Sequence, residues 1–273
     1  MRQLAQRVQR GNFFAVFFIG GILGFACHAA KKNQSDAPKE IYALKYGESL
    51  YSARLVNTRQ TTSHVKLNWL AYLIIHHDGT RTLVDTGFSD KNLLKRFAIQ
   101  KFKSVPAILA LLHIDSSQIQ RIILTHTHFD HALDLDLFSN AKVFLHKKEF
   151  SAPQEKRVAD KLKFFAMQGK VQTFQKEITH AGLTLEFVGG HTQGSIVVKT
   201  IANNNSLLFT GDECYFAESC FAGVALPSAA AFDVHANRRF IESIKPQTKI
   251  LTGHEIQFSQ GEWLNDYIFR FSF

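Results

Sequence analysis

The stretch His126-Thr127-His128-Phe129-Asp130-His131 decides how the rest of the chain is read. It follows the apolar run Arg121-Ile122-Ile123-Leu124-Thr125, which has the length and character of a short buried strand. A single buried histidine is ordinarily a hydrogen-bonded core residue. Three imidazoles and a carboxylate within six residues, directly after a strand, have no comparable packing explanation. In an extended segment, side chains two apart point to the same side. His126 and His128 can therefore grip one metal ion together. Asp130 and His131, at the turn that follows, can reach a second.

Three single residues then acquire meaning. His191 follows Gly189-Gly190, Asp212 follows Gly211, and His254 follows Gly253. Each stands just past an apolar run that reads as a strand: 183–188, 206–210 and 250–251. Glycine lets the backbone turn sharply and approach a site closely. Together with the first cluster this makes five histidines and two aspartates, the count for a pair of divalent metal ions. Imidazole and carboxylate ligands suit zinc, with iron, manganese or cobalt as alternatives.

Around these points the chain alternates strands and helices. Residues 69–75 and 81–85 flank Asp78-Gly79, a hairpin signal. Residues 90–102 and 106–113 have helical spacing. Residues 142–146 read as a strand and 154–167 as a charged helix. Residues 195–200 and 206–210 are strands joined by Asn203-Asn204-Asn205. Residues 233–244 form a helix with Asp233 at its N-cap, a residue type that accepts from free helix N–H groups. No repeat and no long linker divides the pattern, which predicts one α/β domain of sheets covered by helices.

His-Thr-His-Phe-Asp-His, Gly-Gly-His191-Thr, Thr-Gly-Asp212, Thr-Gly-His254 and the early Leu83-Val84-Asp85-Thr86-Gly87 together resemble the metallo-β-lactamase superfamily from about residue 64 to residue 258. The resemblance implies a four-layer αβ/βα sandwich: two mixed sheets flanked by helices, with the metals at one edge between the sheets. It implies that His126, His128 and His191 hold the first metal, that Asp130, His131 and His254 hold the second, and that Asp212 bridges them. Asp85 would orient a ligand histidine. Within the superfamily, the gaps between these residues and Tyr215, three past Asp212, resemble the N-acyl-homoserine lactonases, the quorum-quenching enzymes.

That likeness implies opening of a small-molecule lactone by a metal-bridging hydroxide. Tyr215 would steady the carbonyl oxygen and Asp130 would pass a proton to the leaving oxygen. Other ester or thioester hydrolases of the fold, of glyoxalase II type, remain the alternative; a β-lactamase or a non-hydrolytic metal protein fits less well. The motif departs from the usual one in Ala132-Leu133-Asp134, where a glycine pair is expected, and Asp134 and Asp136 read either as solvated surface charges or as carboxylates that alter access to the site. Phe216, Phe221, Leu226 and Phe232, interleaved with glycine and alanine, form either a flexible loop lining the substrate or a loop packed on the core.

Composition sets the outer bounds. The chain has 273 residues, 45% of them apolar and 20% charged, which excludes a disordered chain and a multi-span membrane protein. Lys+Arg total 32 against 23 Asp+Glu, a net +9, but Arg2, Arg7, Arg10, Lys31 and Lys32 lie before any acid. The remaining 27 − 23 = +4 is no nucleic-acid footprint. Those first arginines, the uncharged stretch 13–26 and the small residues 27–30 have the layout of a signal peptide, residues 1–29. An uncleaved membrane anchor, or a lipoprotein cut before Cys27, are the other readings. All three place residues 41–273, after a polar linker at 30–40, in the periplasm or outside the cell. An exported chain would meet cytoplasmic glutathione thioesters poorly. Cys214 and Cys220 could pair in that oxidising setting or remain buried thiols. Oligomeric state is not legible.

Overall fold

The computed structural model describes residues 37–59 and 62–273. The expected export segment and most of the polar linker lie outside the described residues. Among the described residues no helix is long and apolar enough to cross a membrane.

Among the described residues thirteen strands make two sheets. In chain order they are β1 (Pro38–Ser52), β2 (His64–His76), β3 (Arg81–Val84), β4 (Arg121–Ile123), β5 (Lys142–His146), β6 (Val171–Phe174), β7 (Glu177–His180), β8 (Leu183–Phe187), β9 (Ile196–Ala202), β10 (Asn205–Gly211), β11 (Lys249–Thr252), β12 (Gly261–Asn265) and β13 (Ile268–Phe271). The larger sheet runs β12-β13-β1-β2-β3-β4-β5-β6 and the smaller β11-β10-β9-β8-β7. Both are mixed: β3, β4, β5 and β6 pair in parallel, as do β10 and β11, and the remaining pairs are antiparallel.

Side-chain alternation explains the layering. Along β1, Tyr42, Leu44 and Tyr46 enter one core and Ile41 and Ala43 another. Along β2, Trp69, Ala71 and Leu73 alternate in the same way with Leu70, Tyr72 and Ile74. A strand buried on both faces reads as a near-continuous apolar run, as these do. The outer core of the large sheet is closed by helix α1 (Lys91–Arg96), α2 (Val105–Ala110) and, beyond the short turn α3 (Phe129–Ala132) and helix α4 (Lys147–Ser151), by α5 (Lys156–Met167). The core between the sheets joins Val84, Ile123 and Phe144 to Leu185, Val198 and Phe209. On the far side of the small sheet, Val197, Leu208 and Ile250 meet Phe240 and Ile241 of helix α7 (Val234–Ser243), near the short α6 (Ala217–Phe221). The result is the four-layer αβ/βα sandwich.

Helix ends follow local chemistry. Asp90 caps α1 by accepting from Leu93 N at 2.9 Å, and Asp233 caps α7 by accepting from His235 N and Ala236 N at 2.9 Å each. In α5, Val158, Leu162 and Phe165 recur at one-turn spacing and are buried. The predicted helix over 90–102 is cut to 91–96 because Ala98 and Lys101 take φ +49°, which no helix carries, and Gln100 pairs with Glu48 instead. The predicted helix over 106–113 likewise ends at Ala110, with His113 at φ +56°. The domain begins earlier than residue 41, since Pro38, Lys39 and Glu40 already belong to β1.

Asp134 corrects the surface reading: it is only 5% exposed, its amide donates to Gly87 O, and its Oδ1 accepts from the amide and hydroxyl of Ser89. Asp136 is exposed and pairs with Lys161. Cys214 and Cys220 form a disulfide.

Candidate metal centre

Five strand ends meet where the two sheets open. β3 delivers Asp85; β4 delivers residues 126–131; β8, β10 and β11 deliver His191, Asp212 and His254. Backbone bonds lock the sheets together here, Ile196 N donating to Thr125 O (2.9 Å) and Leu70 N to Gly253 O (3.2 Å), while Gly253 N to Gly211 O (3.2 Å) ties the ends of β11 and β10 within the smaller sheet. Gly211 sits at φ +50°, and a Cβ on it would stand 2.6 Å from Thr125 Oγ1. Only glycine lets β10 come that close to β4.

Ligand atoms gather in two groups: His126, His128 and His191 in one, Asp130, His131, Asp212 and His254 in the other. His126 Nε2 and His191 Nε2 each lie 3.0 Å from His128 Nδ1. In the second group Asp212 Oδ1 is 3.1 Å from His131 Nε2 and 3.3 Å from His254 Nε2, while Asp130 Oδ2 is 3.3 Å and 3.5 Å from the same two nitrogens. The other oxygen of Asp212, Oδ2, turns to His191 Nε2 at 3.6 Å. One carboxylate thus presents one oxygen to each group.

The outward nitrogens are held by acceptors. His131 Nδ1 donates to Asp85 Oδ2 (2.8 Å), His191 Nδ1 to Ala230 O (2.8 Å) and His254 Nδ1 to Asn68 O (3.1 Å). Each acceptor fixes the hydrogen on Nδ1 and leaves Nε2 aimed inward, the arrangement by which protein groups orient metal-binding histidines. His131 Nε2 and Asp212 Oδ1 are buried with no hydrogen-bond partner. Buried polar atoms are rarely left so. Two unsatisfied donors of electron pairs, 3.1 Å apart among further carboxylate and imidazole atoms, fit a bound divalent cation.

The electrostatics agree. Burial disfavours charge on Asp130 and Asp212, but His131 and His254 outweigh it and hold both carboxyls well below the usual carboxylate range. Burial works against protonation of His131 and His254 too; the carboxylates overcome it, pushing His131 well above its ordinary value and His254 up to about 9. His126 and His191 are pushed down by burial, His191 to about 4. A divalent cation would replace protons in the carboxylate-rich group and meet the neutral imidazoles of His126 and His191 in the other.

Sequence reading had singled out all seven of these residues together with Asp85. It missed the side chains that hold their loops. Glu149, fully buried, accepts from the amide and hydroxyl of Thr127 through Oε2, and through Oε1 from Thr192 Oγ1 (2.6 Å) and Gly194 N (3.0 Å). Glu213 Oε1 accepts from Gly190 N and His191 N at 2.9 Å and from Ser195 Oγ at 2.6 Å. Burial raises the Glu213 pKa. Tyr46 donates to Asp130 O at 2.7 Å. In sequence these are isolated residues whose partners come from far along the chain, so no local pattern announces them.

The centre floors a cavity of about 450 Å³. Leu55, Leu67, Trp69, Phe129 and Phe232 give it apolar walls, and Tyr215 lines it beside the two groups. Tyr215 is buried and stacks on His254, with ring centroids 5.0 Å apart and planes 12° from parallel. Burial first, then the charge of Asp212, push its pKa well above the ordinary phenol value. The loop after Asp212 divides: Phe216 and Leu226 pack on the core, whereas 229–232 line the cavity and Phe221 and Phe232 are exposed.

The model of the metallo-beta-lactamase superfamily matches residues 70–224, more than half of the chain. The chain belongs to the metallo-beta-lactamase superfamily. Solved structures share its fold at low identity. An AiiA variant from B. thuringiensis with N-decanoyl-L-homoserine bound at its active site is 20% identical, with a TM-score of 0.66 over 81% of this chain and 94% of its own. A probable metal-dependent hydrolase from Staphylococcus aureus is 18% identical, with a TM-score of 0.66 over 85% and 92%. AidC, a dizinc quorum-quenching lactonase in complex with a hexanoyl-homoserine product, is 15% identical, with a TM-score of 0.60 over 86% and 97%.

Proposed function

We propose that the protein is a dinuclear metal-dependent hydrolase that opens the lactone ring of N-acyl-homoserine lactones. The observation that carries this reading is the division of Asp212 between the two ligand groups, beside a tyrosine and an apolar-walled cavity. His126, His128 and His191 would hold one divalent ion, zinc first among the candidates. Asp130, His131 and His254 would hold the other, with Asp212 shared. Bound there, such ions supply water activation at neutral pH and Lewis acidity toward a carbonyl oxygen.

The chain's own groups do the rest. The Tyr215 hydroxyl, its pKa raised, stays protonated at neutral pH and donates a hydrogen bond to the carbonyl oxygen as negative charge develops on it. Asp130 stays ionised and takes up the proton that must reach the leaving alkoxide. Leu67, Trp69, Phe129 and Phe232 receive the acyl chain and exclude water from it. The lactonases among the structural neighbours, and a cavity with space for a small acyl substrate, support the choice of substrate. An exported site of action, with residues 1–29 as a signal or an anchor, is part of the same proposal; the Cys214–Cys220 disulfide suits an oxidising compartment.

The test is proton release during opening of short- and long-chain N-acyl-homoserine lactones by the purified protein, with metal-stripped and Tyr215→Phe preparations beside it. Metal-dependent opening that falls with Tyr215→Phe is the expected result. Metal-loaded protein that leaves lactones intact but cleaves thioesters or simple esters would discard the substrate.

A further inference from the structure

The backbone of Tyr215 is held by groups outside the metal ligands. Asn57, 1% exposed, lies beyond β1 and more than 150 residues before the segment it touches. Its Oδ1 accepts from Tyr215 N at 2.8 Å. Its Nδ2 donates to Val224 O at 3.0 Å and lies 3.0 Å from Cys220 Sγ. One side-chain amide therefore ties both ends of the segment 215–224, with acceptor and donors all engaged. The Cys214–Cys220 disulfide closes the same segment covalently. On the opposite side Thr252 Oγ1 donates to Tyr215 O at 2.9 Å, so both backbone groups of the tyrosine are held. Cys214 and Cys220 are buried too. Nothing in this arrangement touches the cavity except Tyr215 itself.

We propose that Asn57 and the Cys214–Cys220 disulfide form a clamp that positions the Tyr215 hydroxyl over the metal centre, so that Asn57 is a positioning residue for hydrolysis. The proposal rests on the role given to Tyr215 above. A hydroxyl that serves a developing charge must be fixed before the reaction, because a displacement of about 1 Å can cost on the order of a hundredfold in rate. The ring of Tyr215 has His254 on one face, but ring stacking alone lets a phenol slide. Fixing its N–H, its C=O and the covalent loop that begins one residue earlier removes that freedom.

The experiment compares Asn57→Ala, Tyr215→Phe and the combined variant in metal-loaded protein, with N-hexanoyl-L-homoserine lactone and an aryl ester as substrates. Tyr215→Phe is expected to lower kcat about a hundredfold, in the range for loss of one donor to a developing oxyanion. Asn57→Ala is expected to lower kcat about tenfold, with KM and metal content within twofold of the parent, since positioning acts on the transition state. In the Tyr215→Phe background, Asn57→Ala is expected to change kcat less than about twofold, the non-additivity of groups acting as one unit. Deuterium exchange at the Tyr215 amide, slow in the parent, becomes fast in Asn57→Ala whether or not metal is bound.

If Asn57→Ala lowers kcat by the same factor with and without the tyrosine hydroxyl, or leaves both kcat and the amide exchange unchanged, the clamp is refuted. If Tyr215→Phe keeps full kcat, the role of Tyr215 falls and the clamp's purpose with it. Should Asn57→Ala fail to fold, Cys214→Ser/Cys220→Ser loosens the same segment from its covalent side and enters the same comparison. Should neither substrate be turned over, the amide exchange alone decides whether Asn57 holds Tyr215.

Discussion

Replacing Asp85 by asparagine removes a single charge at a point where the structure makes the consequence calculable. Asp85 Oδ1 accepts from Thr125 N at 2.8 Å; Oδ2 accepts from Thr125 Oγ1 and His131 Nδ1, each at 2.8 Å. Its φ of +63° is a left-handed conformation that asparagine also tolerates, so the backbone is not the cause of any effect. The new amide has two orientations. With its NH2 toward His131, two donors face each other, the imidazole must move its hydrogen to Nε2, and the nitrogen aimed at Asp130 and Asp212 is lost as a ligand. Loss of such an orienting partner weakens metal binding by about 10- to 100-fold, or roughly 1.4–2.7 kcal/mol. With the amide reversed, Thr125 N is left buried without a partner. That costs on the order of 1–3 kcal/mol of stability. Each kcal/mol corresponds to a fall of roughly 2–4 °C in Tm for a domain of this size.

Zinc affinity by competition with a chromophoric chelator, and thermal unfolding of the metal-free protein, separate the two orientations. The first weakens zinc binding at the His131 group and leaves the metal-free Tm nearly intact. The second lowers Tm and spares affinity. Parent-like values in both measurements would refute the assignment of Asp85 as the group that holds His131.

Metal removal by a strong chelator is expected to abolish hydrolysis and lower Tm while leaving the far-ultraviolet circular dichroism largely unchanged, with zinc restoring activity; refolding-independent activity after complete stripping would contradict it. Zinc binding to the Asp130–His131–Asp212–His254 group is expected to release about two protons at pH 7, and His126 and His191 few, as calorimetry in buffers of different ionisation enthalpy would show. Metal-free protein should also show a stability maximum near pH 6.5. His254, raised to about 9, contributes stability that is fully present below about 6.5 and is lost as pH rises through 9, whereas His191, lowered to about 4, costs stability as pH falls from about 6.5 toward 4. Denaturant titrations at several pH values check this, and a monotonic profile would contradict it. Glu149→Ala leaves Thr127, Thr192 and Gly194 short of an acceptor and should cost on the order of 3 kcal/mol, read as a shift in denaturant midpoint.

What the sequence made legible follows from range. Strand β5 and the helix α7 with its Asp233 cap were readable because period and cap lie within a few residues. The ligand residues were readable because they cluster at 126–131 or follow glycine after an apolar run. Strand β1 was hidden: a register shift between Lys45 and Gly47 breaks its alternation, and Glu48 lies in it among Lys45, Lys66 and Lys101. Strands β6, β7 and β12 are short or lie at sheet edges, where the apolar pattern fades. Asp134 reads as a surface charge until Gly87 and Ser89 are brought to it. Asn57, Glu149 and Glu213 act on residues 18 to 167 positions away, and nothing beside them in the chain marks them.

Two divalent ions held on either side of Asp212 are proposed to make this chain a lactone hydrolase. Stepwise return of zinc to metal-stripped protein, with N-acyl-homoserine lactone opening measured at each addition, tests it most directly. Activity is expected to rise to a plateau at two equivalents per chain and to be lost in Asp212→Ala. Full activity at one equivalent, or no lactone opening with two equivalents bound, would contradict it.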